Sequence, residues 1–305
     1  MPRPGEAGAN PRRRILRTAL RVLAVLVAAL AVWVWFLWPP PAWYKWAWPR
    51  QTAFMAMRRG QERAAIRAGT AKPPLPVRAY LPIPLAQIAP AMRTAAMIGE
   101  DHRFYQHHGI DYQAIREAAG YRRDDFRWVS AEDRAELGRA LRQAWSRRDR
   151  IRGASTITQQ LAKNLYLSPS RNPLRKVKEA VTAWRLEYWL GKERILELYL
   201  NVVELGPETW GVEAASRKYF RHPAGRLSLD EAAALAGSLP FPLRSNPGYR
   251  PGRMRWRQEM ILRRARGENV VIPPPDDSVG AGPDSTKLKG DSVVDTLPGR
   301  RGGGG

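Results

Sequence analysis

Residues 22–38, VLAVLVAALAVWVWFLW, form an uncharged run of 17 positions near the start of the chain. Such a segment must satisfy its own backbone and keep its side chains from water, and a helix across a bilayer does both. Seventeen residues is at the short end for a span, and residues 15–20 extend it if Arg17 and Arg21 snorkel to the headgroups. One transmembrane helix over 15–38 is therefore expected. Arg12, Arg13, Arg14, Arg17 and Arg21 precede or enter the run, whereas only Lys45 and Arg50 closely follow it. That asymmetry predicts a basic cytoplasmic N-terminus over 1–14, with everything after Pro39 outside. Trp33, Trp35, Trp38, Trp43, Trp46 and Trp48 cluster at the exit as an interfacial belt would. The competing reading is a cleaved signal peptide, since Ala29, Leu30 and Ala31 have the small-x-small form. That site lies inside the run with further apolar residues following, which argues for retention.

The 305 residues leave room for one medium domain beyond the span, and an apolar content of 44% is enough for its core. Net charge is +23, of which residues 1–14 carry +3 and residues 268–305 carry −2, leaving +22 on the body between them. A body this basic calls for an anionic partner, either nucleic acid or a phosphate-bearing membrane surface. A domain placed outside the cytoplasm by its anchor does not meet cytoplasmic DNA, so no nucleic-acid partner is expected. There is no cysteine, hence no disulfide framework, thiolate metal site or cysteine nucleophile. Residues 39–80 read as a Trp- and Pro-rich juxtamembrane linker, with a helix over 55–68 inside it. From Glu268 the composition turns to Pro, Gly, Ser and Asp and reads as a disordered tail over 268–305.

Between these flanks the pattern is helical, with apolar residues recurring at i, i+3 and i+4. Val177, Val181, Trp184 and Tyr188 predict the buried stripe of a helix starting near Leu174. Glu179 then lies about 200° round from Val177, free to face a cleft beside Arg175 and Lys176, or to form an ordinary i, i+4 ion pair with Arg175. Ile195, Leu196, Tyr199 and Leu200 read as core, and Asn201 to Gly206 as a turn toward the cleft. The stretch GASTITQQLAKN (153–164) packs hydroxyl, amide and ammonium groups onto one short segment. A helix starting near Ser155 would set Ser155, Gln159 and Lys163 in one row and Thr156, Gln160 and Asn164 in the next. Alone, that pattern also describes a capped, solvated helix with Ser155 or Thr156 as its N-cap.

Four further segments stand in order around it: IGEDHRFYQHHG (98–109), RKVKE (175–179), KERILELYLN (192–201) with Gly206, and LSLDEAAALAG (227–237) followed by LPFP (239–242). Together they resemble the peptidoglycan glycosyltransferases of family 51, which polymerise lipid II into glycan strands, over residues 81–267. The resemblance implies a mainly α, lysozyme-like glycosyltransferase domain. It matches Glu100 to the family's catalytic base and Glu179 to a second catalytic glutamate that assists the leaving diphosphate. Ser155, Thr156, Gln159, Gln160, Lys163, Arg175 and Lys176 are expected to hold diphosphate and sugar, with Asp101 and Asn201 also grouped as substrate-binding. Asp101 could instead raise the pKa of Glu100 by repulsion, or serve only as a cap or structural pair. Phe104 reads as core and His107 as a hydrogen-bonded scaffold residue. A divalent cation, Mg2+ or Mn2+, suits carboxylate and phosphate oxygens, but no closed ligand set is visible and no organic cofactor is implied.

Residues 117–152 are longer than the family pattern by about one helix. Ser130 and Asp133 resemble a capping box, and residues 135–147 follow as an Arg-rich helix bearing Leu137, Leu141 and Trp145, suited to lipid headgroups, a partner protein or plain packing. The short stretch after Gly267 suggests a monofunctional enzyme working with transpeptidases, alongside lipid II, the growing strand and membrane lipids as partners. Two other classes stay open: a lysozyme-like peptidoglycan hydrolase, and a membrane-tethered binder of an acidic polymer.

Overall fold

A computed structural model of the chain describes residues 11–33, 41–73, 77–118, 130–146, 155–166 and 173–268. The apolar run forms α1 (Pro11–Val32), whose residues 14–32 are long and apolar enough to cross a membrane and are not buried by any of the described residues. Trp35 and Trp38, the insertion outside its helix, and the tail from 269 lie outside the described residues.

After a 3-10 turn, Pro41–Lys45, comes α2 (Ala53–Arg67), capped by the Thr52 side chain accepting from the Met55 N–H. The expected extended linker is therefore folded onto the domain over much of its length. Arg194 holds it there, donating to the carbonyls of Tyr44 (2.7 Å) and Ala47 (2.9 Å) while its guanidinium lies 4.5 Å from the Trp48 ring centroid. Trp43 and Trp46 remain exposed, as a headgroup belt requires, but Trp48 is spent on Arg194. From α2, Arg58 makes a two-point contact (2.8 and 3.0 Å) with buried Glu204. Burial pushes the Glu204 carboxyl up and Arg58 opposes it.

The body is a helical assembly of α3 (Pro90–Glu100), α4 (Tyr112–Ala118), α5 (Ala131–Ser146), α6 (Ile157–Tyr166), α7 (Pro173–Val202), α8 (Val212–Phe220), α9 (Leu229–Ser238) and α10 (Gly252–Ala265). Each start has a local cause where the sequence supplies one. Pro90 occupies the first turn of α3, Ser130 accepts from the Asp133 N–H ahead of α5, and Ser228 with Glu231 closes a capping box on α9. A small sheet, β1 (Ala79–Tyr80), β2 (Glu204–Gly206) and β3 (Thr209–Trp210), takes the order β1-β3-β2. Here β1 is parallel and β2 antiparallel to β3. Core side chains come from every layer: Met92 and Ala95 of α3, Leu161 of α6, Leu186 and Leu196 of α7, Leu235 of α9 and Ile261 of α10.

The predicted stripe on α7 is reversed. Val177, Trp184 and Tyr188 are 61%, 39% and 64% exposed, while Glu179, Thr182, Ala183, Leu186 and Leu190 are buried at i, i+3, i+4, i+7 and i+11. The inward face carries a carboxylate and a hydroxyl because it fronts the cleft, and hydropathy alone assigns such a face to solvent. Helix α7 is broken at Gly191, where φ is 71°. Beyond the break Ile195, Leu196, Tyr199 and Leu200 are fully buried, as expected.

Replacing Arg194 with Ala should free the 41–48 segment. Loss of its charged hydrogen bonds should lower unfolding free energy by about 2–3 kcal/mol. Denaturation and limited proteolysis near Lys45 check this; an unchanged digestion pattern would contradict it.

Candidate active site

Glu100 ends α3 and Asp101 follows it, so two adjacent carboxylates leave the helix in different directions. Asp101 turns inward, 7% exposed, and accepts from the N–H of Ile157 (2.9 Å) at the first turn of α6 and from His107 Nε2 (3.0 Å). A carboxylate on a helix N-terminus meets unpaired N–H groups and the positive end of the helix dipole. Asp101 is thus tied into the scaffold by both its oxygens. With His107 and Asp111 it forms the one cluster of three possible metal ligands among the described residues. Its oxygens are already taken: Asp111 accepts from Arg103 (2.8 Å) and from the Ala114 N–H (2.8 Å), and Asp101 from His107 and Ile157. These residues fit an internal brace rather than a cation.

Thr156 caps α6. Its hydroxyl oxygen accepts from the Gln159 N–H (3.1 Å) and donates to the Gly109 carbonyl (2.6 Å), while Gln159 Oε1 accepts from the Thr156 N–H (3.2 Å). This is a capping box with Gln at its third helical position. Both side chains are buried, at 2% and 3% exposure, so neither is offered to a ligand. Asn201 is likewise withdrawn: its side chain bonds both the N–H (2.8 Å) and the carbonyl (2.9 Å) of Ile83 and is 1% exposed. The expected Asn201–Gly206 turn into the cleft is instead the lead into β2. Asn164 is buried as well. The polar rows read from the sequence therefore divide, with one part holding the helix in place and Gln160 and Lys163 facing the carboxylates.

Glu100 is 11% exposed, with Arg257 of α10 donating to Oε1 (2.9 Å) and Gln160 Nε2 to Oε2 (2.9 Å). The Gln160 carbonyl in turn accepts from Tyr199 Oη (3.0 Å), which fixes the amide so that its NH2 points at the carboxylate. Burial pushes the Glu100 carboxyl above its ordinary 4.5, against the pull of Arg257, the Gln160 bond and Lys163, and with the help of Asp101. A mostly buried carboxylate with a raised pKa and a charged partner is the form expected of a general base.

Opposite it, Glu179 is 4% exposed and both oxygens are held, by Arg175 (3.0 Å) and by Lys176 Nζ (2.6 Å), which also reaches Ser155 Oγ (3.2 Å). Lys163 interacts electrostatically with both carboxylates. Burial pushes its ammonium down, Glu179 and then Glu100 pull it up, and Arg175 and Lys176 push it down again. Three cations therefore act on one buried glutamate, Arg175 and Lys176 in direct contact with it. Glu179 is a single carboxylate with each oxygen already paired to a side-chain cation.

Residues 76–266 match the transglycosylase family model. The chain belongs to that family. Among its relatives is the biosynthetic peptidoglycan transglycosylase of Bordetella pertussis, 37% identical over 266 residues, covering 87% of this chain and 98% of that one. The protein of the same description from Laribacter hongkongensis is 35% identical over 259 residues, covering 85% and 100%. That of Bdellovibrio bacteriovorus is 40% identical over 182 residues, covering 60% and 64%. Family membership accounts for the ordered motifs, while the geometry sorts them into cleft residues (Glu100, Gln160, Lys163, Arg175, Lys176, Glu179 and Ser155) and braces (Asp101, Thr156, Gln159 and Asn201). Arg257 had no sequence signal beyond its place in an Arg-rich helix, and Tyr199 read only as core.

Thr156→Ala should cost about 2 kcal/mol, the upper range for loss of a cap, because the Gly109 carbonyl also loses its donor. Urea denaturation measures it. A stability equal to wild type would return Thr156 to the cleft.

Proposed function

We propose that this protein is a membrane-anchored peptidoglycan glycosyltransferase that polymerises lipid II into β-1,4-linked glycan and releases undecaprenyl diphosphate. The observation that carries the reading is the division of the cleft. A buried, base-like carboxylate, Glu100, is paired with Arg257, a second buried carboxylate, Glu179, is paired with Arg175 and Lys176, and Lys163 is coupled to both. A hydrolase of glycan needs two carboxylates and a water, but has no use for three cations where its leaving sugar departs.

In the proposed reaction Glu100 takes the proton from the 4-hydroxyl of the acceptor N-acetylglucosamine. The oxygen so activated bonds to C1 of the donor N-acetylmuramic acid as the C1–O bond to the diphosphate breaks. Attack opposite the leaving group converts the α linkage to β. Charge grows on the diphosphate as that bond opens, and Lys163, Arg175 and Lys176 are the donors set to receive it. Glu179 is the wrong charge to bind phosphate itself. Its part is to hold Arg175 and Lys176 in place and to keep three like charges together before substrate arrives. Ser155, through Lys176, lies at the mouth of the same cradle. The reading places the N-terminus in the cytoplasm and the domain on the outer face, where its strands would pass to cross-linking transpeptidases.

Glu100→Gln keeps the shape and the Gln160 contact but cannot accept the proton. Polymerisation of labelled lipid II in detergent should fall by about 100- to 10,000-fold, with folding unchanged by circular dichroism. Glu179→Gln should weaken turnover by releasing its two cations. Glycan made at the wild-type rate by Glu100→Gln would end the assignment, and release of sugar from preformed glycan would favour the hydrolase.

A further inference from the structure

Helix α10 reaches the cleft from outside the motifs that define the family resemblance. It can do so because two glycines let it approach. A Cβ on Gly99 would stand 3.0 Å from Ile261 Cδ1, and one on Gly237 would stand 2.8 Å from the Met254 carbonyl oxygen. The first glycine joins α10 to α3 and the second joins it to α9. Between them Arg257 enters with a side chain 15% exposed, and one nitrogen, NH2, donates both to the Gly99 carbonyl (2.8 Å) and to Glu100 Oε1 (2.9 Å). That carbonyl belongs to the last turn of α3, where the helix dipole is negative and carbonyls lack intrahelical donors. One guanidinium thus meets the helix end and the carboxylate that follows it. Its Nε–H is buried and has no hydrogen-bond partner among the described residues. A buried unpaired donor is costly unless a ligand oxygen takes it, and this one is carried by the group that holds the proposed base.

We propose that Arg257 is a positioning residue for Glu100, tying the carboxylate to the end of α3 and keeping it charged. This rests on the reading of Glu100 as the base. The charged and titratable groups facing Glu100 are Arg257 from α10, Lys163 from α6, Tyr199 from α7 and its neighbour Asp101, with the Gln160 amide completing the shell. Arg257 is the cation in direct contact. Burial already pushes Glu100 toward its neutral form, and Arg257 heads the groups opposing this. Without that charge the base is protonated at a higher pH, and the acid limb of kcat/KM moves up.

The experiment compares lipid II polymerisation against pH for wild type, Arg257→Gln and Arg257→Lys in the full-length protein. Arg257→Gln keeps polar contact without charge and should shift the acid limb upward by about one unit, with kcat reduced about tenfold or more at neutral pH. Arg257→Lys keeps the charge, so its acid limb should stay near the wild-type position. A merely structural role for Arg257 would lower the rate at all pH values without moving the limb, and identical limbs for the Gln and Lys variants would overturn the proposal. Wild type that makes no glycan would instead overturn the functional reading on which it rests. Should Arg257→Gln not fold, Arg257→Lys decides: a limb displaced as far as one unit refutes the role of charge.

Discussion

The site depends on where one buried carboxylate points. Asp101 leaves α3 immediately after Glu100 and caps α6, so the end of one helix and the start of the other are joined across a single side chain. That join sets Glu100 against Gln160 and, one turn on, Lys163. His107 braces Asp101 from the other side, and the Thr156 hydroxyl ties the α6 cap to Gly109 in the same loop. A charge this deep is costly unless its lone pairs are filled, and here a backbone N–H and a ring nitrogen fill them. Adjacent carboxylates are thereby given opposite tasks, one consumed in structure and the other left facing the cleft.

The cleft concentrates charge in a way that a folded protein without a ligand tolerates only by internal pairing. Lys163, Arg175 and Lys176 repel one another, and Glu179 is the group that makes their proximity affordable. An incoming diphosphate brings the anions that this arrangement lacks. The juxtamembrane turn and α2, clamped by Arg194 and Arg58, carry the chain from its apolar helix to the back of the same body.

Much of this was legible in sequence where a local signal carried it. The apolar run, the Ser130 and Asp133 cap, the core pattern of Ile195 to Leu200, and the two motif glutamates each announce themselves within a few residues. What sequence could not separate was polar residues that bind from polar residues that brace. Thr156 and Gln159 look the same as Gln160 and Lys163 until the helix is rotated into place, and Asn201 resembles a ligand until Ile83 is found against it. The reversed face of α7 has the same origin, because a helix lining a charged cleft buries its polar side. Arg257 lies 157 positions from Glu100, and only the packing of α10 on α3 brings it there.

The central claim is that proton removal and diphosphate binding belong to opposite sides of the cleft. The most direct test is calorimetric binding of a short-chain polyprenyl diphosphate to wild type, Glu100→Gln and Lys163→Met. The account predicts wild-type affinity for Glu100→Gln and a loss of about tenfold or more for Lys163→Met, as expected when a charge-assisted contact to phosphate is removed. Unchanged binding by Lys163→Met, or loss confined to Glu100→Gln, would contradict it.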